Sequence, residues 1–306
     1  MDTVRRLDEQ FFVEFDDTLA WAASRGITSG TRFHIYRKNI DWLMANDAEQ
    51  DRPRIYANLE AEGRLTEIAS TMTESIELVE VVPTLRQHDI DIPYDLLRRV
   101  FSGPADGFCE NPNSNQPRNA MFELKMGAMA AREGLQPRLS TSNPDVSFVF
   151  EGRTVKMECK RVLSEARVRE RLREGVKQLS NCVQSEKSDV GLVAISLSKL
   201  VNAGDKFLVS PDPHKVLSEQ LKKFLDDNEG LLSSIYQPGV MGFIFFLSTM
   251  SYVPDEGYSS VGAGTIFPVD LDEQPFLRRL AQKLGVSVHI LTEPPFPPIH
   301  PESQIR

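Results

Sequence analysis

The sequence predicts an α/β protein in which a mixed β-sheet flanked by helices follows a mainly helical N-terminal region. Residues 1–105 carry apolar side chains at helical spacing and few strand patterns. Residues 102–118 contain three prolines and two glycines and are typical of a loop. Beyond this loop, helical segments alternate with short apolar runs. We therefore divide the chain into a helical region, 1–105, and a second domain, 106–306.

Four segments of the N-terminal region have apolar residues repeating every three to four positions, as one face of a helix requires. They are 7–21, 33–43, the stretch after Asp51, and 95–101. We expect this region to serve recognition, homodimerisation or the binding of a protein partner.

The second domain is predicted to contain, in order, a helix, a β-hairpin, a long helix, and then three strands separated by helices. The three strands are clearest at 191–197, 240–247 and 286–291, where apolar residues predominate. Strands that alternate with helices are typical of a sheet covered by helices.

Several classes of protein are disfavoured by simple counts. No apolar run approaches the roughly 18 residues that a membrane span needs, and the first ten residues lack the apolar segment of a secretory signal. The three cysteines form no CxxC pair and the five histidines are scattered, which argues against a disulfide framework and a zinc site. We expect a globular, cytoplasmic protein.

The net charge of −9 would ordinarily speak against a nucleic-acid partner, because such binding rests on basic residues that neutralise phosphates. The charge is unevenly distributed, however. Residues 153–187 hold ten basic residues against five glutamates, a local balance of +5 that leaves −14 for the rest. This basic island suits a polyanion, although a solvated helix carrying Glu/Arg pairs one turn apart gives the same count.

The most informative segment is the predicted hairpin. Apolar residues alternate with other residues through 146–150 and again through 155–159, and the intervening Glu-Gly-Arg is typical of a turn. Strand side chains alternate between faces, so Glu158 and Lys160 share the face opposite the apolar set, with the Cys159 carbonyl between them. Asp145, just before the first strand, is placed to approach the same face.

Two carboxylates, a main-chain carbonyl and water form the all-oxygen shell that Mg²⁺ prefers. We therefore expect Mg²⁺, with Mn²⁺ as a substitute, to be bound by Asp145, Glu158 and the Cys159 carbonyl. Lys160 would then orient a nucleophilic water or offset charge developing on phosphorus. The alternative is a solvated strand face, because exposed strands often alternate Glu and Lys.

Two flanking helices add candidates. Residues 119–134 read as an amphipathic helix on which Glu123 shares its face with small residues, where a carboxylate is costly unless something binds it. The alternative is an ordinary boundary glutamate turned to solvent. Ser164 is a reasonable N-cap for a helix running to about residue 184. Gln178 on that helix could reach back to the hairpin, or could be a surface polar residue.

Taken together, these motifs resemble the PD-(D/E)XK nuclease superfamily. The resemblance covers about residues 118–197. It is carried by Phe122-Glu123-Leu124 on a helix, Pro144-Asp145, Glu158-Cys159-Lys160, and Lys177-Gln178-Leu179 on a basic helix. The aromatic residue that some exonuclease-like members carry four positions after the glutamine is Cys182 in this chain, a departure from that subgroup.

The resemblance implies a restriction-endonuclease-like core and Mg²⁺ held by Asp145 and Glu158, with Lys160 as the catalytic lysine. Glu123 would be an auxiliary metal ligand or orienting group, and Gln178 a positioning group. The implied activity is phosphodiester hydrolysis, with DNA as the expected substrate. The residues expected to contact nucleic acid are Arg161, Arg167, Arg171 and Lys177.

Three alternatives stay open from the sequence. The chain could bind nucleic acid without cleaving it, or could cleave RNA, since metal and phosphate chemistry does not depend on the sugar. It could also be an interaction protein of a defence or mobile-element system whose helical half is the functional part.

Overall fold

The computed structural model describes residues 9–28, 31–45, 52–107, 109–111, 114–183, 189–201, 208–235, 237–253, 257–270 and 272–289. Within these ranges, one mixed sheet of eight strands has helices on both faces, and N-terminal helices pack beyond one of those faces. The predicted α/β class, with a helical N-terminal region before a sheet flanked by helices, is confirmed.

Among the described residues, five helices form the N-terminal region. They are α1 (Glu9–Ser24), α2 (Arg32–Ala45), α3 (Arg52–Ala61), α4 (Leu65–Gln87) and α5 (Tyr94–Phe101). Their apolar faces meet in a core that includes Phe11, Phe33 and Phe101, and this burial holds the short helices in place. None of the helices in the described ranges has the length and apolar character needed to cross a membrane.

The second half begins with a long helix and the predicted hairpin. These elements are α6 (Gln116–Arg132), β1 (Arg138–Leu139), β2 (Val146–Phe150), β3 (Arg153–Arg161) and α7 (Val168–Val183). The tight turn between β2 and β3 uses positive φ at Glu151 and Gly152. The hairpin is therefore where the sequence pattern predicts it.

The remaining strands and helices complete the sheet. They are β4 (Asp189–Ser196), α8 (Ser198–Val201), β5 (Leu208–Val209), α9 (Pro213–Ser233), β6 (Val240–Val253), β7 (Gly257–Pro268), α10 (Gln274–Leu284) and β8 (Ser287–Val288). The strand order is β1-β2-β3-β4-β6-β7-β8, and β5 pairs with the end of β6. The β3, β4 and β6 strands are parallel neighbours, whereas β1, β2 and β3 pair antiparallel.

Helices cover the two faces of the sheet with different partners. On one face, α6 packs against β3, whose alternate residues Val155, Met157 and Cys159 belong to the same apolar cluster, and α10 packs against β7 and β8. On the other face, α7 and α9 share a second apolar cluster with the opposite side of β4 and β6. Every residue of β4 is buried, as expected for a strand covered on both sides. Charged residues at even positions of β3 therefore lie on the α7 side.

The predicted boundary near residue 105 falls in the loop between α5 and α6. Both α4 and α5 pack against α6, and one apolar cluster extends from Phe11 in α1 to Met157 in β3. The hydrophobic core therefore crosses this boundary, and the division into two functional parts stays a prediction.

Two sequence expectations on the second half were wrong. The prediction passes from the strand at 240–247 directly to a helix, whereas β6 extends to Val253 and β7 pairs with it antiparallel along its length. Gly264 lies in β7, and glycine weakens the sequence pattern by which a strand is recognised. The structure nevertheless requires a small residue at this position, because an added Cβ would lie 2.9 Å from the ring of Phe246. Ser164 precedes a short 3₁₀ turn, 165–167, and its side chain makes no capping hydrogen bond.

The close approach of α7 to the sheet depends on Gly175. A Cβ added there would lie 2.6 Å from Cγ1 of Val193 and 3.5 Å from Cγ of Lys160. Val193 belongs to a fully buried strand and its branched side chain has little freedom to move. Glycine at this position therefore lets the helix lie against β3 and β4.

We predict that Gly175→Ala lowers the free energy of unfolding, because overpacking costs about 1–3 kcal/mol while better helix propensity returns only about 1 kcal/mol. The control is Gly230→Ala on the exposed side of α9, where an added Cβ meets nothing within 4 Å. That variant should be as stable as the wild type or up to about 1 kcal/mol more stable. Denaturant unfolding measures both, and equal effects would contradict the packing argument.

Candidate active site

The hairpin brings Asp145 and Glu158 together. Val146 pairs with Met157, so one further step along the antiparallel register sets Asp145 opposite Glu158. Residues opposite each other in an antiparallel pair have their side chains on the same face. The two carboxyl groups lie close enough to hydrogen-bond to each other when one of them holds a proton.

Pro144 ends the β2 ladder at this point. In the next register position it would face Cys159, but proline has no N–H to donate, so the Cys159 carbonyl lacks that ladder partner. The Cys159 N–H donates to Oδ2 of Asp145 at 2.7 Å. In an antiparallel pair the N–H and C=O of a residue point toward the same neighbouring strand, so the Cys159 carbonyl is directed to the side on which Asp145 lies. A carboxylate and a main-chain oxygen therefore flank the end of β2.

Lys160 is held beside Glu158 on the same face. Its Nζ donates to Oε1 of Glu158 at 2.8 Å and lies 3.9 Å from Oε1 of Glu174 on α7. Burial alone would lower the pKa of Lys160, but Glu158, Asp145 and Glu174 outweigh burial and raise it. The side chain of Lys160 is therefore charged and largely shielded from solvent, unlike a lysine on a solvated strand face.

Burial dominates the acid–base behaviour of the carboxyls. The pKa of Glu158 rises to about 7, because the residue is only 1% exposed and Asp145 adds negative charge beside it. The pKa of Asp145 is also raised by burial, against the lowering effects of the Cys159 N–H and Lys160. While both groups are ionised, neither can donate, and Oε2 of Glu158 is then buried with no hydrogen-bond partner in the described chain.

Glu123 joins the same cluster from α6. It is 6% exposed, which excludes the alternative of a boundary glutamate turned to solvent. Burial and the nearby Asp145 raise its pKa to about 8, although Arg99 and Lys160 oppose that rise. Its Oε2 is buried and has no hydrogen-bond partner among the described residues; the nearest cation is Nη2 of Arg99 at 3.8 Å.

Gln178 lies beside β3 on the neighbouring helix. One turn before it, Glu174 approaches Lys160, and one turn after it, the Cys182 carbonyl accepts a hydrogen bond from Lys156. Gln178 therefore lies between two contacts of α7 with β3, alongside the part of β3 that contains Glu158. Its Oε1 is buried with no hydrogen-bond partner in the described part of the chain, and the residue is half-buried.

The donor set fits a divalent cation. Three carboxyl groups with raised pKa values share a site with two cations, Lys160 and the more distant Arg99, so negative charge there is undercompensated when all three are ionised. Oε2 of Glu123 and of Glu158 lack partners that a cation would supply. Among the described residues, no group of three or more His, Cys, Asp or Glu side chains could hold a metal ion. The expected set has only two carboxylates and a carbonyl, and Mg²⁺ keeps several waters.

The four basic residues expected to contact nucleic acid lie in different surroundings. Arg161 lies on the opposite face of β3 from Lys160 and donates to Glu110 at 2.5 Å. Arg167 and Arg171 on the α7 segment each pair with a glutamate three residues later. Lys177 is exposed, and no ion pair is found for it within the described ranges. The Glu/Arg pairs match the alternative of a helix with a solvated, internally paired face.

Two members of the cluster are missed by sequence reasoning. Arg99, on α5, is separated from Glu123 by a loop, and only its place in the Arg98-Arg99 pair at a helix end marks it. Glu174 precedes Gln178 by one helical turn and accepts a hydrogen bond from Arg171 at 2.6 Å. Helical spacing could have identified Glu174, whereas Arg99 reaches the site only through the packing of α5 on α6.

Comparison with protein-family models gives no match, and comparison with curated proteins gives none either. The resemblance to the PD-(D/E)XK superfamily therefore remains a resemblance of sequence motifs.

We predict that Glu123→Gln removes a pH-dependent loss of stability. Since the folded-state pKa of Glu123 is raised from 4.5 to about 8, the protonated carboxyl stabilises the fold below pH 4.5, and that contribution is lost as the pH rises through about 8. In metal-free buffer, the variant should therefore gain on the order of 1–3 kcal/mol relative to the wild type between about pH 5 and pH 8.5.

Denaturant unfolding at several pH values tests this prediction. The control is Glu60→Gln on the exposed face of α3, which should follow the wild type at every pH. A Glu123→Gln curve parallel to that of the wild type would show that Glu123 is ionised throughout this range.

Proposed function

We propose that this chain is a Mg²⁺-dependent nuclease of the PD-(D/E)XK class that hydrolyses phosphodiester bonds, with DNA as the expected substrate. One observation carries the proposal: Glu123, Asp145, Glu158 and Lys160 converge from a helix and a hairpin into one buried cluster with unpartnered carboxylate oxygens. Structural ion pairs rarely leave such oxygens unpaired, because a buried unpaired charge is costly.

The metal would be held by Asp145, Glu158 and the Cys159 carbonyl, with Mn²⁺ as a substitute. When bound, the ion would polarise the phosphoryl group and lower the pKa of a coordinated water. The N–H of Cys159 orients Asp145 independently of any ion, so one ligand is preorganised.

The remaining groups have separate roles. Lys160 is kept charged by Glu158, and its ammonium is available to orient the attacking water or to offset charge on the phosphate. Glu123, with a pKa of about 8, retains a proton near neutral pH and so can donate a hydrogen bond. The side-chain amide of Gln178 would position the substrate or the water. Arg99 contributes a cation from the N-terminal region and is suited to a substrate phosphate.

We predict that Lys160→Ala and Asp145→Ala separate catalysis from metal binding. Lys160→Ala should bind Mg²⁺ nearly as well as the wild type once Glu158 is ionised, which needs a higher pH than in the wild type because Lys160 lowers the pKa of Glu158, but should cleave on the order of a hundredfold more slowly or worse. Asp145→Ala should lose both metal binding and cleavage, because it removes a ligand. The control is Lys222→Ala on the exposed side of α9, which should match the wild type.

Calorimetry measures metal binding, and single-turnover assays on single-stranded DNA, duplex DNA and RNA measure cleavage with Mg²⁺, with Mn²⁺ and with chelator. Cleavage that persists in chelator, or a Lys160→Ala variant as fast as the wild type, would refute the mechanism. Cleavage of RNA but of neither form of DNA would show that the substrate is RNA rather than DNA. Binding of metal and nucleic acid without cleavage would support the alternative of a protein that binds nucleic acid without cleaving it.

Salt dependence tests the basic island separately. If residues 153–187 contact the backbone, the logarithm of the binding constant should fall by roughly one unit per log unit of salt for each phosphate contacted. Lys177→Ala should reduce that slope by about one unit, since Lys177 is exposed and not committed to an ion pair within the described ranges. Lys222→Ala is again the control. Binding that is insensitive to salt would exclude the island from the interface.

A further inference from the structure

A second polar site lies on the other side of β3. A cavity of about 120 Å³, open to solvent, is enclosed by α4, the loop before α6, α6 itself, and the ends of β3, β4 and α8 together with β6. Arg161 lines this cavity, whereas the neighbouring Lys160 faces α7. The cavity is therefore separate from the candidate active site, although one strand connects them.

Four cations line the cavity, and three carboxylates hold them in place. Lys125 donates to Glu77 at 2.8 Å, and Arg161 donates to Glu110 at 2.5 Å. Glu110 also lies 3.9 Å from Nζ of Lys199. Each of these cations is oriented by its partner rather than free in solvent, as expected of a preformed binding site.

Arg118 is the least exposed of these four cations. Its Nε donates to Glu74 at 2.7 Å and its Nη2 donates to the Pro104 carbonyl at 3.1 Å. The residue is 7% exposed, yet its Nη1 has no hydrogen-bond partner among the described residues. Glu74 offers no second acceptor oxygen to Arg118, because its other oxygen already lies 3.0 Å from Nη2 of Arg32. A buried guanidinium donor without an acceptor is costly.

The rest of the lining suits a small molecule with an anionic head. Hydroxyl groups of Ser196, Ser198 and Ser248 lie on the sheet side, and Nζ of Lys125 lies 3.4 Å from Oγ of Ser248. Met121 and Phe246 provide an apolar wall. Glu80 adds negative potential near Lys125 from outside the lining. A cavity of roughly 150 Å³ admits a benzene-sized molecule, so a slightly smaller one has room for a phosphate or a carboxylate.

We propose that this cavity binds a small oxyanion, a phosphate or a carboxylate, through the four cations that line it, Arg118, Lys125, Arg161 and Lys199. The ligand would contact α4 and α6 on one side and the sheet on the other. Its binding would therefore stabilise the packing of the N-terminal helices on the sheet. This inference does not depend on nuclease activity.

The test measures binding of inorganic phosphate and of acetate to the full chain by calorimetry and by thermal unfolding, with chloride at matched ionic strength as the reference. We expect saturable binding of at least one oxyanion and a rise in melting temperature that grows with its concentration. Phosphate alone or acetate alone would identify the head group. No saturable binding beyond chloride would overturn the proposal and leave a water-filled ion-pair network.

Two variants locate the ligand. Ala69→Leu fills the cavity without removing a charge and should weaken binding at least tenfold. Its control, Ala57→Leu on the exposed face of α3, should bind like the wild type. Unchanged affinity in Ala69→Leu would place the ion elsewhere. Should that variant fail to fold, Lys199→Gln removes a cation at the lining and should weaken binding by a similar factor; unchanged affinity there would equally overturn the proposal.

Asp145→Ala separates this inference from the proposed function. It should bind the oxyanion with wild-type affinity, because Asp145 does not line the cavity. Loss of oxyanion binding in this variant would assign the ion to the candidate active site and refute the cavity proposal. Retained oxyanion binding in this variant, together with a failure of the wild-type chain to cleave single-stranded DNA, duplex DNA or RNA, would refute only the nuclease.

Discussion

The hydrogen bond from the main-chain N–H of Cys159 to the carboxylate of Asp145 is the contact around which the candidate site is built. The ladder between β2 and β3 ends at the pair Val146 and Met157, and beyond it the Asp145 carboxylate satisfies the main-chain donor of Cys159. The same contact sets the Asp145 carboxylate against Glu158. Every later feature of the cluster follows from two carboxyl groups held together away from water.

Such an arrangement is unfavourable on its own. Burial and, after it, the negative charge of Asp145 raise the pKa of Glu158 to about 7 and that of Glu123 to about 8. Lys160 offsets part of the charge, and Arg99 contributes from a greater distance. A cation that displaces the protons of these carboxyl groups would relieve the repulsion between them, so metal binding and proton release would be coupled in this site.

Alternation along β3 produces two polar centres from adjacent residues. Lys160 points toward α7 and joins the carboxyl cluster, whereas Arg161 points toward α6 and joins the cavity that Glu110 and Arg118 also line. The helical N-terminal region contributes to both centres, because α5 carries Arg99 and α4 carries Glu74. The N-terminal helices are thus part of the structure that positions these charged groups, and their apolar core is continuous with that of the sheet.

Local periodicity in the sequence was sufficient to predict several elements of the structure. The hairpin at 146–161, the helices on either side of it and the shared face of Glu158 and Lys160 follow from alternation and helical spacing, and the structure agrees. Contacts between residues from distant segments could not be predicted in this way, because they arise only in the tertiary structure. The Glu/Arg pairs along α7, the commitment of Arg161 to Glu110, and the approach of Arg99 to Glu123 depend on how helices pack on the sheet. The β7 strand could not be predicted from local sequence, because its glycines are typical of a loop. The packing of Phe246 against Gly264 exists only in the folded structure. Burial, which sets the pKa values of the cluster, is likewise a property of packing that no local pattern encodes.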